Sequence, residues 1–382
     1  MRTLRLGSLI VSTFIIGSAE VVAVPMSSEM SRSLGRSVQE IALFPAVYAI
    51  LYAVFAPMLG SLSDRFGRKA MLVPALLGFA ATMLGVASSR TFQGALIGWA
   101  LAGICAAVIQ PNTLAIVNDV VPLDKAPVAM GRVLSGLTVS FVVTPVVSSF
   151  LATRAHWRIA YVLLAAVALT SSIAILRLQL PRVPASQTLS PWAGVRAALA
   201  IRGVGRRLGM TFLWIGSSAG LAAILSETVR RRFGWSDESA GIFAGFFGLC
   251  TVLGNAVIGP FVRWFQSRKR MVLSGMVATA AGSALVGLMP APSLAVPVIG
   301  VAIWTLGYGA GGPVHQSVLG HIAGSSRGMV TALNASAINL GIAAVASLTG
   351  SLLDRIGVEG VFGMAVGCML VAVGLAASIS DE

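Results

Sequence analysis

Long apolar runs separated by short polar turns dominate the chain. Twelve segments reach the ~20 mostly apolar residues that a membrane-crossing helix needs. They are 6–26, 41–62, 70–88, 93–118, 131–152, 157–177, 206–228, 239–262, 271–289, 294–318, 327–350 and 358–379. Polar or Pro-marked turns such as "SSRT" at 88–91 and "MPAPS" at 289–293 punctuate them. The longest connector, 178–205, holds Pro181, Pro184 and Pro191 and divides the runs six and six. The expected fold is therefore an all-α membrane protein of twelve transmembrane helices. It has an N-terminal six-helix bundle (1–177), a connector (178–205) and a C-terminal six-helix bundle (206–382).

Composition makes the solvent explicit. Of 382 residues, 56% are hydrophobic and only 10% charged, and the mean hydropathy is +0.88. A soluble domain carries about 25% charged residues, so water could not hold this surface and a bilayer could. The net charge of +14 comes without any Lys/Arg run interleaved with aromatics in a polar setting, which excludes a nucleic-acid partner. Placement explains the excess instead. With a cytoplasmic N-terminus, the inner ends and loops hold 18 Lys and Arg and the outer ones 9, which puts both termini inside. Arg230, Arg231 and Arg232 fall outside, against the trend. Cys105, Cys250 and Cys368 sit in apolar stretches without CxxC spacing and read as small buried hydrophobes. The first run lacks an A-x-A cleavage site and reads as a retained helix.

The halves echo each other. "GSLSDRFGRKAML" (60–72) ends the second run, and "GPFVRWFQSRKRMVL" (259–273) ends the eighth. In the second copy Arg263 stands where the first has Asp64, and Gln266 where it has Gly67. Paired halves mark transporters built from structural repeats, with substrate sites near the bilayer midplane. Within the first copy, Gly67 permits a tight reversal between helices, and Arg68 and Lys69 suit a cytoplasmic edge. Asp64, ending an apolar helix, calls for a cation or a helix N-terminus.

That stretch resembles the signature of the major facilitator superfamily: Gly, three residues, Asp-Arg, one residue, Gly-Arg-Lys/Arg, then an apolar helix start. Here these are Gly60, Asp64, Arg65, Gly67, Arg68 and Lys69. Within the superfamily the chain is similar to the twelve-helix drug and metabolite:proton antiporters. "NDVVP" (118–122), "HWRIAYVLL" (156–164) and a Glu late in the first helix followed by a run to a Pro (Glu20 to Pro25) carry this likeness. The resemblance implies a bacterial inner-membrane exporter working by alternating access, with a small-molecule substrate and protons as partners. It implies no cofactor, the proton gradient being the energy source. By motif position it also implies a conformational latch in which Asp64 and Arg68 bridge toward helix eleven and Asp119. Two departures stand out. Trp99 occupies the place, four residues before Gly103, where the family often has Arg. Thr144-Pro145 and Ser148-Ser149 replace Gly-Pro and paired glycines. They keep open a proton-independent facilitator, or a proton symporter of a neutral metabolite such as a sugar or nucleoside.

Glu20 lies inside "LIVSTFIIGSAEVVAVP" (9–25). An ionisable group deep in a spanning helix costs ~3 kcal/mol or more and so faces a bundle interior or cavity. A carboxyl removed from water favours its neutral form, so it can take a proton from one side and release it to the other. Glu20 is the candidate proton-coupling or substrate acid. The competing readings are a structural Glu bonded to Ser12, Thr13 or a helix-four polar group, and a residue at the outer headgroups. Glu227 reads as an interfacial partner of Arg230 to Arg232, and Asp354 as a capped turn. Glu29, Glu40, Asp237 and Glu238 read as solvated loop charges.

In the fold implied by the resemblance, the candidate cavity lining is Tyr48, Tyr52, Gln110, Asn112, Trp214, Trp304, Tyr308, Asn334 and Asn339. Amides in hydrocarbon seek partners or water, and aromatics can stack on a planar or cationic ligand; Trp and Tyr near helix ends otherwise form the interfacial belt. The Gly-rich "GYGAGGP" (307–313) lies inside a spanning run and reads as close helix packing. His156, His315 and His321 form neither metal-ligand spacing nor a nucleophile–base set, so no enzyme activity is expected; His315 reads as a packing histidine. No heptad or GxxxG face dominates, so the expected state is a monomer.

Overall fold

The computed structural model describes residues 6–23, 25–41, 43–178, 191–235, 237–258, 264–265, 267–289 and 295–379. Among them the regular structure is helical, with no strand. Nine helices among the described residues are long and apolar enough to cross a membrane. Residues 259–263 and 266 of the second motif copy, residues 179–190 of the connector, and the side chains of Glu227, Asp237, Glu238 and Asp354 lie outside the described residues.

Prolines and glycines set the helix ends. Helix α1 is Leu6–Val21, shorter than the run 6–26. Pro25 lacks the N–H that would bond the Val21 carbonyl, so the helix cannot be carried through it. A short α2, Ser27–Leu34, and α3, Val38–Ile41, follow. Next come α4 Leu43–Phe66, α5 Arg68–Ser88, α6 Phe92–Val120, α7 Ala126–Arg154 and α8 Trp157–Leu176. Gly67, between α4 and α5, has φ 94°, a conformation that side chains avoid and glycine adopts freely. Thr91 caps α6 by accepting the Gly94 N–H at 3.2 Å.

Beyond α9 (Pro191–Ala200) and α10 (Val204–Met210), the seventh run is not one continuous helix. A π-helical turn, Thr211–Gly216, leads into α11 (Ser217–Ala223), and a break at Ile224 precedes α12 (Leu225–Phe233). The chain continues through α13 (Asp237–Ala256), α14 (Arg268–Gly287) and α15 (Ala295–Ile322). The helical stretch Arg327–Ala377 is broken at Gly357 (φ 69°), giving α16 before it and α17 after it.

These elements group into two compact units. One takes Met1–Pro122, Arg132–Ala198 and Ala323–Ser336; the other takes Leu123–Gly131, Leu199–Ile322 and Ala337–Glu382. In the first, α1 packs on α7 at backbone distance. A Cβ on Gly17 would lie 2.1 Å from Ser140 Oγ and 2.8 Å from the Leu137 carbonyl. Small residues allow such approach, and hydroxyls tie the helices together. Thr13 donates to the Val133 carbonyl at 2.5 Å, Ser18 pairs with Thr144 at 2.8 Å, and Ser12 pairs with Ser171 at 3.0 Å.

In the second unit, Trp304 is the centre of the core. Its ring meets Phe247 and Phe362 edge-on at 5.0 and 6.3 Å, and its Nε1–H donates to Ser218 Oγ at 2.7 Å. In both units large apolar side chains face outward, among them Ile50, Ile97, Val146, Ile242 and Leu370. A surface this apolar suits hydrocarbon rather than water.

Candidate functional site

Two constellations emerge in the first unit. The first lies where α4 ends and α5 begins. Asp64, 4% exposed, accepts the Gly328 N–H at 2.7 Å on Oδ1 and the Met329 N–H at 2.9 Å on Oδ2. These are free donors of the first turn of α16, and the positive end of its dipole favours a carboxylate there. Arg68 donates from Nη1 to Asp64 at 2.6 Å and from Nε to Asp119 at 2.9 Å. Asp119 also accepts Arg327 Nη1 at 2.9 Å. Ser63 accepts a further Arg68 N–H at 2.9 Å and donates to Asn112 Oδ1.

Each buried charge in this network therefore faces an opposite charge or a helix terminus, as the cost of desolvation requires. Backbone contact makes it possible. A Cβ on Gly60 would fall 2.6 Å from Ala332 Cβ, and one on Gly328 would fall 2.3 Å from Arg68 Nη1. The other two cations of the motif point elsewhere. Arg65 is exposed and lies over Phe66. Lys69 donates to the Leu176 and Leu178 carbonyls, closing the C-terminus of α8. Arg327 and Gly328 were not legible in the sequence as members, because only tertiary packing brings Gly328 to Asp64, 264 residues away, and Arg327 to Asp119, 208 residues away.

The second constellation surrounds Glu20, in the last turn of α1. Glu20 is half-buried and its carboxylate accepts no hydrogen bond among the described residues. Ser12 and Thr13 are engaged elsewhere, Ser12 with the Ser8 carbonyl and Ser171, Thr13 with the Ile10 and Val133 carbonyls. They do not pair with Glu20. The Tyr48 and Tyr52 hydroxyls of α4 lie within electrostatic range of Glu20, and Tyr52 donates to Gln110 Oε1 of α6 at 3.1 Å. The Tyr48 hydroxyl is buried without a partner among the described residues. Trp99 is fully buried, 6.0 Å from the Phe44 and Tyr48 rings and 6.1 Å from Tyr161, so an indole within an aromatic cluster, and not a cationic side chain, stands at this position of α6.

Other sequence candidates disperse. Asn112 belongs to the charged network, donating to the Val108 carbonyl at 2.8 Å. Trp214 and Trp304 are fully buried in the second unit, Asn334 is buried, and Tyr308 and Asn339 are half-buried. Glu29 is not a solvated loop charge. It lies in α2, with its side chain 21% exposed, and accepts the Trp157 N–H at 3.2 Å at the start of α8. A helix N-terminus offers free donors, which holds the carboxylate in. Glu40 is exposed and forms a capping box with Ser37, each accepting the other's backbone N–H at 2.9 and 3.2 Å. The Ser37 N–H, then the Ser37 hydroxyl and Arg36, hold its carboxyl below the usual range.

The family model of the Major Facilitator Superfamily matches residues 9–219 and 207–380. The chain belongs to the Major Facilitator Superfamily. It is thus a multi-pass membrane transporter and not an enzyme. "Multidrug resistance protein 1" of Bacillus subtilis is 26% identical over 370 residues, covering 92% of this chain and 90% of that protein. The multi-drug resistance efflux pump PmrA of Streptococcus pneumoniae is 29% identical over 36% of each chain. Among solved structures, the human organic anion transporter MFSD10 superposes with TM-score 0.79 at 19% identity, covering 98% of this chain and all of that one. FucP, in the outward conformation, superposes with TM-score 0.81 at 12% identity, covering 100% and 99%. At these identities the superpositions establish the superfamily fold alone.

Proposed function

We propose that this transporter exports a small drug or metabolite across a bacterial inner membrane by alternating access, in exchange for protons. It has twelve spans in two six-helix halves and both termini in the cytoplasm, in accord with the Lys/Arg asymmetry. Glu20 carries the reading. It is a carboxylate in an apolar helix with no hydrogen-bond partner among the described residues, within electrostatic range of Tyr48 and Tyr52, the latter bonded to Gln110. Such a group can hold a proton or a cationic substrate but not both, which is the competition antiport requires. The names of the bacterial relatives support export of drugs.

The Asp64–Arg68–Asp119 network acts as the latch. It holds the first turn of α16 while the cytoplasmic side is closed and parts when that side opens. The proton gradient supplies the energy and no cofactor takes part.

Everted membrane vesicles with an imposed pH gradient test the reading. Amphipathic drugs, sugars and nucleosides are screened for dissipation of the gradient, with wild type beside Glu20→Gln. Dissipation by wild type, lost in Glu20→Gln, is the expected result. Flux of the same compounds without dissipation would replace antiport by proton-independent transport, the reading that the aromatic surroundings of Trp99 favour.

A further inference from the structure

We propose that one face of α15, with the π-helical turn beside it, is a substrate subsite that receives N–H or O–H donors. The residues are His315, Gln316 and Gly312 of α15, and Thr211 and Trp214 of the turn. The assignment rests on the transport reading and names which chemistry the second unit recognises.

The hydrogen bonds determine what His315 offers. Its ring is fully buried, with Nε2 2.9 Å from Thr211 Oγ1. Thr211 spends its single hydroxyl hydrogen on the Arg207 carbonyl at 3.1 Å, so toward His315 its oxygen accepts. In that arrangement Nε2 carries the ring proton, and Nδ1 of the neutral imidazole is a bare acceptor. That Nδ1 is buried without a partner among the described residues. The adjacent Gln316 leaves Oε1 equally buried and unmet, and Trp214 leaves its Nε1–H unmet. Trp214 touches His315 edge-on, with centroids 6.1 Å apart.

Buried polar groups are nearly always paired, and Trp304, in the same unit, is paired with Ser218. Three unmet atoms on neighbouring side chains mark a place where a partner belongs. There is also room. Gly312 is buried, yet a Cβ built on it meets nothing within 4 Å, and it lies three and four residues before His315 and Gln316, on their face of the helix. The π-turn that presents Thr211 and Trp214 is of a kind frequent at functional sites.

The unmet imidazole nitrogen and amide oxygen both ask for donors, so the subsite should separate ligands by donors rather than by charge or aromatic area. Ethidium and tetraphenylphosphonium are both aromatic monocations, and only ethidium carries amino donors. Their binding to the purified full-length protein in detergent is measured for wild type, His315→Phe, His315→Asn and Gln316→Leu. His315→Phe should weaken ethidium about tenfold, the worth of one buried hydrogen bond, and leave tetraphenylphosphonium within about twofold. His315→Asn places an oxygen near the Nδ1 position and should restore ethidium binding. Gln316→Leu should repeat the selective loss, and it serves alone should His315→Phe not fold. Equal losses for both cations, no loss for either, or His315→Asn behaving as His315→Phe would overturn the subsite and leave the export reading intact. Wild type that binds neither cation would overturn the subsite as a receptor for donor-bearing drug cations, while the vesicle screen with sugars and nucleosides decides the export reading separately.

Discussion

Asp64→Asn isolates the contact between α4 and the first turn of α16. The wild-type carboxylate takes three hydrogen bonds at 2.6, 2.7 and 2.9 Å while 4% exposed. Asparagine keeps one acceptor oxygen, turns the other into a donor that confronts a donor, and removes the charge facing Arg68. Breaking a buried pair from one side costs ~3–5 kcal/mol. Asp119 still pairs Arg68 at 2.9 Å, so the lower end applies. About 3 kcal/mol changes the ratio of latched to unlatched molecules by roughly 150-fold. Thr331, one turn into α16 and 5% exposed, reports that ratio as Thr331→Cys in a background with Cys105, Cys250 and Cys368 replaced. Maleimide labelling in everted vesicles should be slow when Asp64 is present and about a hundredfold faster in the Asp64→Asn variant, up to saturation. Equal labelling rates in two variants that both fold would refute the argument that Asp64 holds this helix terminus.

Three further outcomes follow from the same geometry. Gly328→Ala would put a methyl 2.3 Å from Arg68 Nη1 and 2.6 Å from Asp64 Oδ1, so it should raise Thr331→Cys labelling as Asp64→Asn does. Because the two changes strike one network, the double variant should label little faster than either alone. Gly17→Ala drives a methyl into Ser140 and the Leu137 carbonyl. The overpacking should cost ~1–3 kcal/mol, read as a Tm lower by several degrees in detergent; an unchanged Tm would contradict the backbone-distance packing of α1 on α7.

The apolar runs determined the helices because hydrocarbon imposes one demand on every spanning segment: backbone groups satisfied within it and apolar side chains around it. Local chemistry also determined local turns. Gly67 announced the reversal between α4 and α5, and Asp64, in an apolar context, announced that it needed a cation or a helix end. The resemblance implied helix eleven and Asp119, but which residues of that helix answered was decided by tertiary structure. Nothing in residues 60–72 points to Gly328, Met329 or Arg327, since a contact between distant segments leaves no spacing to read. The same holds for Glu29 at the start of α8, where the carboxylate's neighbour is 128 residues away. Periodicity and composition are equally silent on the π-turn at Thr211–Gly216, because its side chains are as apolar as those of an ordinary helix. Sequence thus determined the solvent, the elements and the charges that had to be compensated. Packing decided the compensation, because it depends on which backbones come close enough to share their free donors.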